Sequence, residues 1–167
     1  MRLLVIRSGS GWGGIYSKYI IDTDLSVLID IDKHNSLTDD DCCCISIEKL
    51  QDIINSVNNI SNGDDSNYYE SAIRKPISEF DNRAVKHIDF GELDVSNLED
   101  RLSRAVICHS KNSIFDIQVD DVYALINDKV THLVSTSYPL VWIDNEELRS
   151  IIIKITGIDG TYTMFLT

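Results

Sequence analysis

The sequence predicts a single α+β domain: residues 1–167 in one unit, with a mixed or antiparallel sheet and two or three helices. Three observations carry this. The chain of 167 residues is the size of one domain and long enough to bury a core. Hydrophobic residues make up 43% and charged residues 25%, the balance of a globular chain rather than a disordered one. Strand-like and helix-like patterns alternate without a strict βαβ rhythm, which favours α+β over a doubly wound fold. The two prolines, Pro76 and Pro139, make no Pro-rich linker, and the chain has neither an internal repeat nor a low-complexity tract.

Each element has a local reason. Arg2 to Arg7 is a short buried strand, because Leu3, Leu4, Val5 and Ile6 are apolar on both faces. A glycine-rich stretch, Gly9 to Gly14, follows. Ile15 to Ile21 is rich in Ile and Tyr and favours strand, and Val27 to Ile31 is another strand. Asp32 to Asp41 is polar and expected as loop. Ser46 to Val57 is the clearest helix: Ser46 can cap it, and Leu50, Ile53, Ile54 and Val57 recur at helical spacing. Asn58 to Tyr69 is expected as a long polar loop. Val85 to Phe90 suits a strand, and Ser96-Asn97-Leu98-Glu99 is a capping box for a short helix to about Ala105. Val119 to Val134, rich in Val, Tyr, Ile and Thr, is a hairpin turning at Asn127-Asp128 rather than a helix capped by Asp120. Asp144 to Glu147 can cap one helical turn. Ile151 to Thr156 and Tyr162 to Leu166 then form a second hairpin around Ile158-Asp159-Gly160.

Acidity is the strongest compositional signal. The chain holds 27 acids and 15 bases, a formal net charge of -12. Residues 21–70 alone hold 12 acids and 2 bases, residues 71–111 balance at seven of each, and residues 1–20 hold three bases and no acid. Such a field repels nucleic acid and anionic membranes and draws in basic partners. The opening apolar run of Leu3 to Ile6 is shorter than the roughly 7–15 residues of a secretory signal, and no stretch reaches the ~18–20 apolar residues of a membrane span. A cytoplasmic protein is expected, and its cysteines agree. Cys42, Cys43 and Cys44 are consecutive and Cys108 is alone, a spacing that suits small core thiols better than disulfides or zinc.

Gly9-Ser10-Gly11-Trp12-Gly13-Gly14 matches G-x-G-x-x-G after a strand, with Asp30 and Asp32 about twenty residues on. A dinucleotide site needs a helix starting at the glycines, to present its N-terminus to the pyrophosphate. The residues that follow are β-branched and aromatic, and Trp12 is bulky, so the pattern favours a glycine-rich hairpin loop over a small nucleotide-binding protein or enzyme. Asp30, Asp32, His34, Ser36, Thr38 and Asp41 echo a calcium loop, but Asn35 replaces the turn glycine and Asp41 the closing Glu. His34, His87, His109 and His132 sit in no nucleophile or zinc motif. No catalytic residue, metal or cofactor is expected.

The acidic clusters remain: Asp39, Asp40 and Asp41; Asp64 and Asp65 followed by Tyr68, Tyr69 and Glu70; and smaller groups at Asp120-Asp121 and Asp144 to Glu147. Tyr side chains flanked by charge are typical interface anchors, so Asp39, Asp40, Asp41, Asp64, Asp65, Tyr68, Tyr69 and Glu70 form the expected partner-binding set. In composition and size the whole chain resembles bacterial toxin-immunity proteins, including those of contact-dependent growth inhibition. That resemblance implies an antitoxin that binds a cognate, basic nuclease toxin and occludes its active site. Arg7-Ser8-Gly9-Ser10-Gly11-Trp12-Gly13-Gly14-Ile15 is also similar, with one extra residue, to the R-S-G-G-aromatic-x-G opening of emfourin-type metalloprotease inhibitors. Both resemblances imply a protein that works by binding another protein.

Overall fold

The computed structural model describes residues 1–8, 16–38, 65–110, 119–136 and 140–158. They form an α+β domain built on one antiparallel sheet. Its strands are β1 (Arg2–Ser8), β2 (Tyr16–Asp22), β3 (Val27–Asp30), β4 (Val85–His87), β5 (Ile107–His109), β6 (Val119–Ile126), β7 (Lys129–Ser135) and β8 (Val141–Ile143). They lie side by side in the order β4-β3-β2-β1-β6-β7-β8-β5. The helices are α1 (Ile31–Thr38), α2 (Asp65–Arg74), α3 (Leu98–Ser103) and α4 (Glu146–Thr156), with 3-10 turns at Ile77–Glu79 and Asn82–Ala84.

β1 is central because it is apolar on both sides, and a strand covered on both faces needs that. Leu3 and Val5 join Ile21, Val122, Ala124 and Leu133 beneath Leu98 and Leu102 of α3 and Leu148, Ile151 and Ile152 of α4. Leu4 and Ile6 join Ile20 and Ile29 on the opposite face, beneath Ile31 of α1, Ile73 of α2 and Phe80. Helices therefore cover both faces. β6 and β7 turn at Asn127 and Asp128, which take φ values of 48° and 61°. That is the type I′ turn that suits the twist of a two-residue hairpin. β1 pairs with β2 antiparallel from Arg2↔Asp22 to Ser8↔Tyr16; the glycine-rich stretch Gly9 to Gly14, expected as a hairpin loop, lies outside the described residues.

Several expectations are corrected. Asp32 to Asp41 is not loop throughout. Ile31–Thr38 is helical, because the Asp30 carboxylate accepts the Lys33 amide at 2.9 Å as an N-cap and Ile31 and His34 bury one turn apart. The expected loop Asn58 to Tyr69 is helical from Asp65, where α2 begins, anchored by the fully buried Ile73; residues 58–64 lie outside the described residues. The capping box does not form. Asn97, with φ 51°, precedes α3 without a side-chain cap, Ser96 hydrogen-bonds Asp94, and Glu99 accepts the Asn127 amide at 2.9 Å. Val85 to Phe90 is strand only as far as His87. Ile151 to Thr156 is the second half of α4 and not a strand. β-branched residues suggested strand there, but Leu148, Ile151, Ile152 and Ile155 fall at i, i+3, i+4 and i+7, and packing against the sheet outweighs propensity. The helix expected at Ser46 to Val57, the strand at Tyr162 to Leu166, and Cys42, Cys43 and Cys44 lie outside the described residues. Cys108 is a free thiol. Among the described residues, no helix is long and apolar enough to cross a membrane.

Both ends of α4 are fastened. The Asn145 side chain accepts the Leu148 amide at 2.9 Å, capping the N-terminus. At the C-terminus the Tyr19 hydroxyl donates to the Thr156 carbonyl at 2.9 Å, and Arg7 Nη2 donates to the Gly157 carbonyl at 2.8 Å. Gly157 itself is left-handed, with φ 71°. Burial, only partly offset by Arg7, holds the Tyr19 phenol above its ordinary range.

Candidate acidic docking groove

The expected partner-binding residues are only partly described. Asp39, Asp40, Asp41 and Asp64 lie outside the described residues, whereas Asp65, Tyr68, Tyr69 and Glu70 share α2. Glu70 is exposed and pairs with Arg74 at 3.1 Å. Arg74 also reaches the β6–β7 turn, donating to the Asp128 carboxylate and, at 2.6 Å, to its carbonyl. The hydrogen bond to Asp128 comes first in raising the Arg74 pKa. The carboxylate of Glu70 is thus engaged by its own fold.

A different acidic surface lies alongside α4. The chain leaves β4, turns at Asp89–Gly91, and runs back toward α3. The Asp89 carboxylate accepts the Gly91 amide at 2.8 Å, and the Leu93 amide donates to the Phe90 carbonyl at 3.0 Å. Arg101 of α3 ties this segment to α4, donating to the Asp94 carbonyl at 3.3 Å and to Glu147 at 2.5 Å. Between the segment and α4 an open groove of about 960 Å³ remains. Its floor is Ile88, Phe90, Leu93, Ile151 and Ile155, the outer layer of the core under α4. Its rim carries Asp89, Glu92, Asp94, Glu146 and Glu147 against a single Lys154. Among the described residues, Glu92 and Glu146 have no ion pair and no side-chain hydrogen bond. Hydrogen bonds from the Ser96 hydroxyl and amide, with Arg101 nearby, hold Asp94 below the usual carboxylate range.

An apolar floor between carboxylate walls suits a cationic, partly apolar segment of another molecule. Burying the apolar stripe supplies the affinity, and the exposed acids raise the rate and specificity of encounter. Sequence reasoning missed this groove. In the sequence, Glu146 and Glu147 show only as a small acidic group that can cap a helical turn. Their partners across the groove lie more than fifty residues earlier, in a segment with balanced charge.

Two histidine clusters lie elsewhere. His132 Nε2 meets the Asp121 carboxylate at 2.9 Å and its ring stacks on Tyr123 at 4.3 Å, a cross-strand arrangement that joins β6 to β7 beside a bulge. His34, buried between α1 and the 3-10 turns, accepts the Asp81 amide at Nδ1 (3.0 Å), with Lys75 Nζ 3.0 Å from Nε2. Burial, followed by the Lys75 charge, pushes the imidazole below its ordinary pKa.

Of the calcium-like series, Asp41 lies outside the described residues, and Asp30, Asp32 and His34 have other partners. Asp30 caps α1, Asp32 accepts the Lys18 amide at 2.9 Å, and His34 turns toward Asp81. Among the described residues no group of three or more His, Cys, Asp or Glu is placed to hold a metal. Tyr16, the first described residue after the glycines, opens a strand antiparallel to β1, not the helix a dinucleotide site needs. No protein-family profile matches the chain, and no curated protein and no solved structure matches it.

Proposed function

We propose that the chain is a stoichiometric binding protein that neutralises a cognate basic protein toxin, a nuclease, by covering its active site. The observation that carries this reading is the groove along α4, where Glu92 and Glu146, without side-chain partners among the described residues, stand beside an apolar floor together with Asp89, Asp94 and Glu147, the last two held by Arg101. Such a surface offers a nuclease's cationic substrate cleft an acidic substitute for a phosphate backbone. The overall charge of -12 supports it by drawing a basic partner in from a distance.

The test is a growth assay with the neighbouring reading frame. The product of the gene immediately upstream is expressed under tight control, with and without this chain. Killing by the neighbour and rescue by this chain are the expected result, and a harmless neighbour or failed rescue overturns the reading. With the purified pair, association should slow markedly as salt rises, because exposed charges are screened beyond about 8–10 Å. A salt-independent rate would remove electrostatic steering from the account.

A further inference from the structure

Resting on that reading, we infer that the groove along α4 receives a basic amphipathic helix of the partner, lying beside α4 with its apolar stripe on Ile88, Phe90, Leu93, Ile151 and Ile155. Three features of the groove select this occupant. The first is length. α4 has 11 residues, and at 1.5 Å per residue its flank is about 16 Å long, or three helical turns. The second is hydrogen bonding. None of the lining residues belongs to a strand, so the groove offers no free ladder to an extended peptide. A helix satisfies its own backbone and needs only side-chain contacts. The third is the placement of charge. Glu146 and Glu147 in the first turn of α4, with Lys154 in its last turn, line one side, and Asp89, Glu92 and Asp94 of the segment after β4 line the other, together with the apolar residues. The complementary element has a narrow apolar stripe, at spacing three and four, with Lys or Arg on both flanks.

The probe is a fluorescein-labelled 14-residue Lys/Leu peptide whose leucines form one helical stripe, with anisotropy as the readout. Two controls share its length. One permutes the same residues so that the stripe is lost, and one replaces every Lys by Glu. The stripe peptide should bind at least about tenfold tighter than the permuted one, and the acidic one should not bind. Glu92→Lys with Glu146→Lys should weaken binding at least about tenfold, whereas Asp65→Lys with Glu70→Lys on α2 should change it less than about threefold. Ser150→Trp, which fills the groove without changing charge, should also weaken it, with circular dichroism confirming that the variant is folded.

Equal binding of the striped and permuted peptides would mean that charge alone is recognised, and would overturn the inference. So would groove variants that bind like the parent, or a homodimer that Ser150→Trp dissolves, which would make a second copy the occupant. The growth assay separates the two levels. If the parent chain rescues and the Glu92→Lys, Glu146→Lys variant rescues equally, the groove assignment fails and the neutralising function stands. If the parent chain fails to rescue, the function fails, and the peptide still decides what the groove binds.

Discussion

Gly157 is where sequence, packing and the groove wall meet, and alanine there has a calculable effect. Gly157 ends α4 at φ 71°, and a Cβ on it would sit 3.3 Å from Arg7 Nη2. Gly91, at φ 57°, has no atom within 4 Å of the same construction. Left-handed backbone costs an L-residue about 1–2 kcal/mol, offset by about 0.4–1 kcal/mol from the smaller unfolded-state entropy of alanine. Gly91→Ala should therefore cost about 1 kcal/mol. Gly157→Ala carries the same strain and also displaces a guanidinium that donates to the Gly157 carbonyl at 2.8 Å. A hydrogen bond from a charged group is worth about 1.5–3 kcal/mol when well formed, so weakening one adds about 1 kcal/mol. The expected total is about 2 kcal/mol, or a melting temperature lower by about 4–8 °C for a chain this size. Urea or thermal unfolding of both alanine variants, and of Gly157→Ala in an Arg7→Met background, checks the reasoning. The extra cost at Gly157 should vanish when Arg7 is gone. Equal costs at Gly91 and Gly157, or an excess that survives in the Arg7→Met background, would refute the assignment of Arg7 as the C-terminal anchor of α4.

Other outcomes follow from the same geometry. His34 has a folded pKa below its ordinary 6.5, so the unfolded chain takes up its proton first. Stability should fall as pH drops below about 6.5, by at most about 1.4 kcal/mol per pH unit, and His34→Asn should remove that slope in urea titrations between pH 5 and 7.5. Asp81 is held down to about 2, chiefly by hydrogen bonds from the Arg83 side chain and amide. Its contribution is present above the ordinary carboxylate pKa and is lost as pH falls through about 2, so Asp81→Asn should flatten the acid limb of the stability curve there. Asn127, at φ 48° in the I′ turn, should tolerate glycine. Asn127→Ile should cost about 1–2 kcal/mol, read as a shift in the urea midpoint.

Elements that depend on short-range pattern could be read from the sequence. β1 announced itself by four apolar residues in a row, and β6–β7 by β-branched residues around Asn127-Asp128. Elements set by tertiary packing could not. The isoleucines of α4 carry both a strand propensity and a helical spacing, and only the sheet beneath them decides in favour of helix. β5 and β8 have three residues each, too few to show a period. Asp30 did carry a readable sign, a carboxylate three residues before Lys33, but the polar run after it obscured the cap.

The groove was hidden for a further reason: charge density along a chain is not the same as charge available to a partner. In the acid-rich segment 21–70, the carboxylates of Asp22, Asp24, Asp30, Asp32 and Glu70 are each engaged within the fold. Asp22 is buried against Arg2 and two turn amides, and Asp24 pairs with the amino group of Met1. Asp30 and Asp32 accept backbone amides, and Glu70 pairs with Arg74. Among the described residues, Glu79, Glu92, Asp144 and Glu146 show no side-chain partner, and two of the four are at the groove. Glu92 and Glu146 line the groove, and Asp144 stands just before α4. A carboxylate already tied to a local cation or amide gives up that contact when it docks, so its net gain is small. An unengaged rim acid beside an apolar floor gives up only water. Charge reversal at Glu92 or Glu146 should therefore slow partner association more than reversal at Glu70, although α2 belongs to the more acidic stretch of sequence.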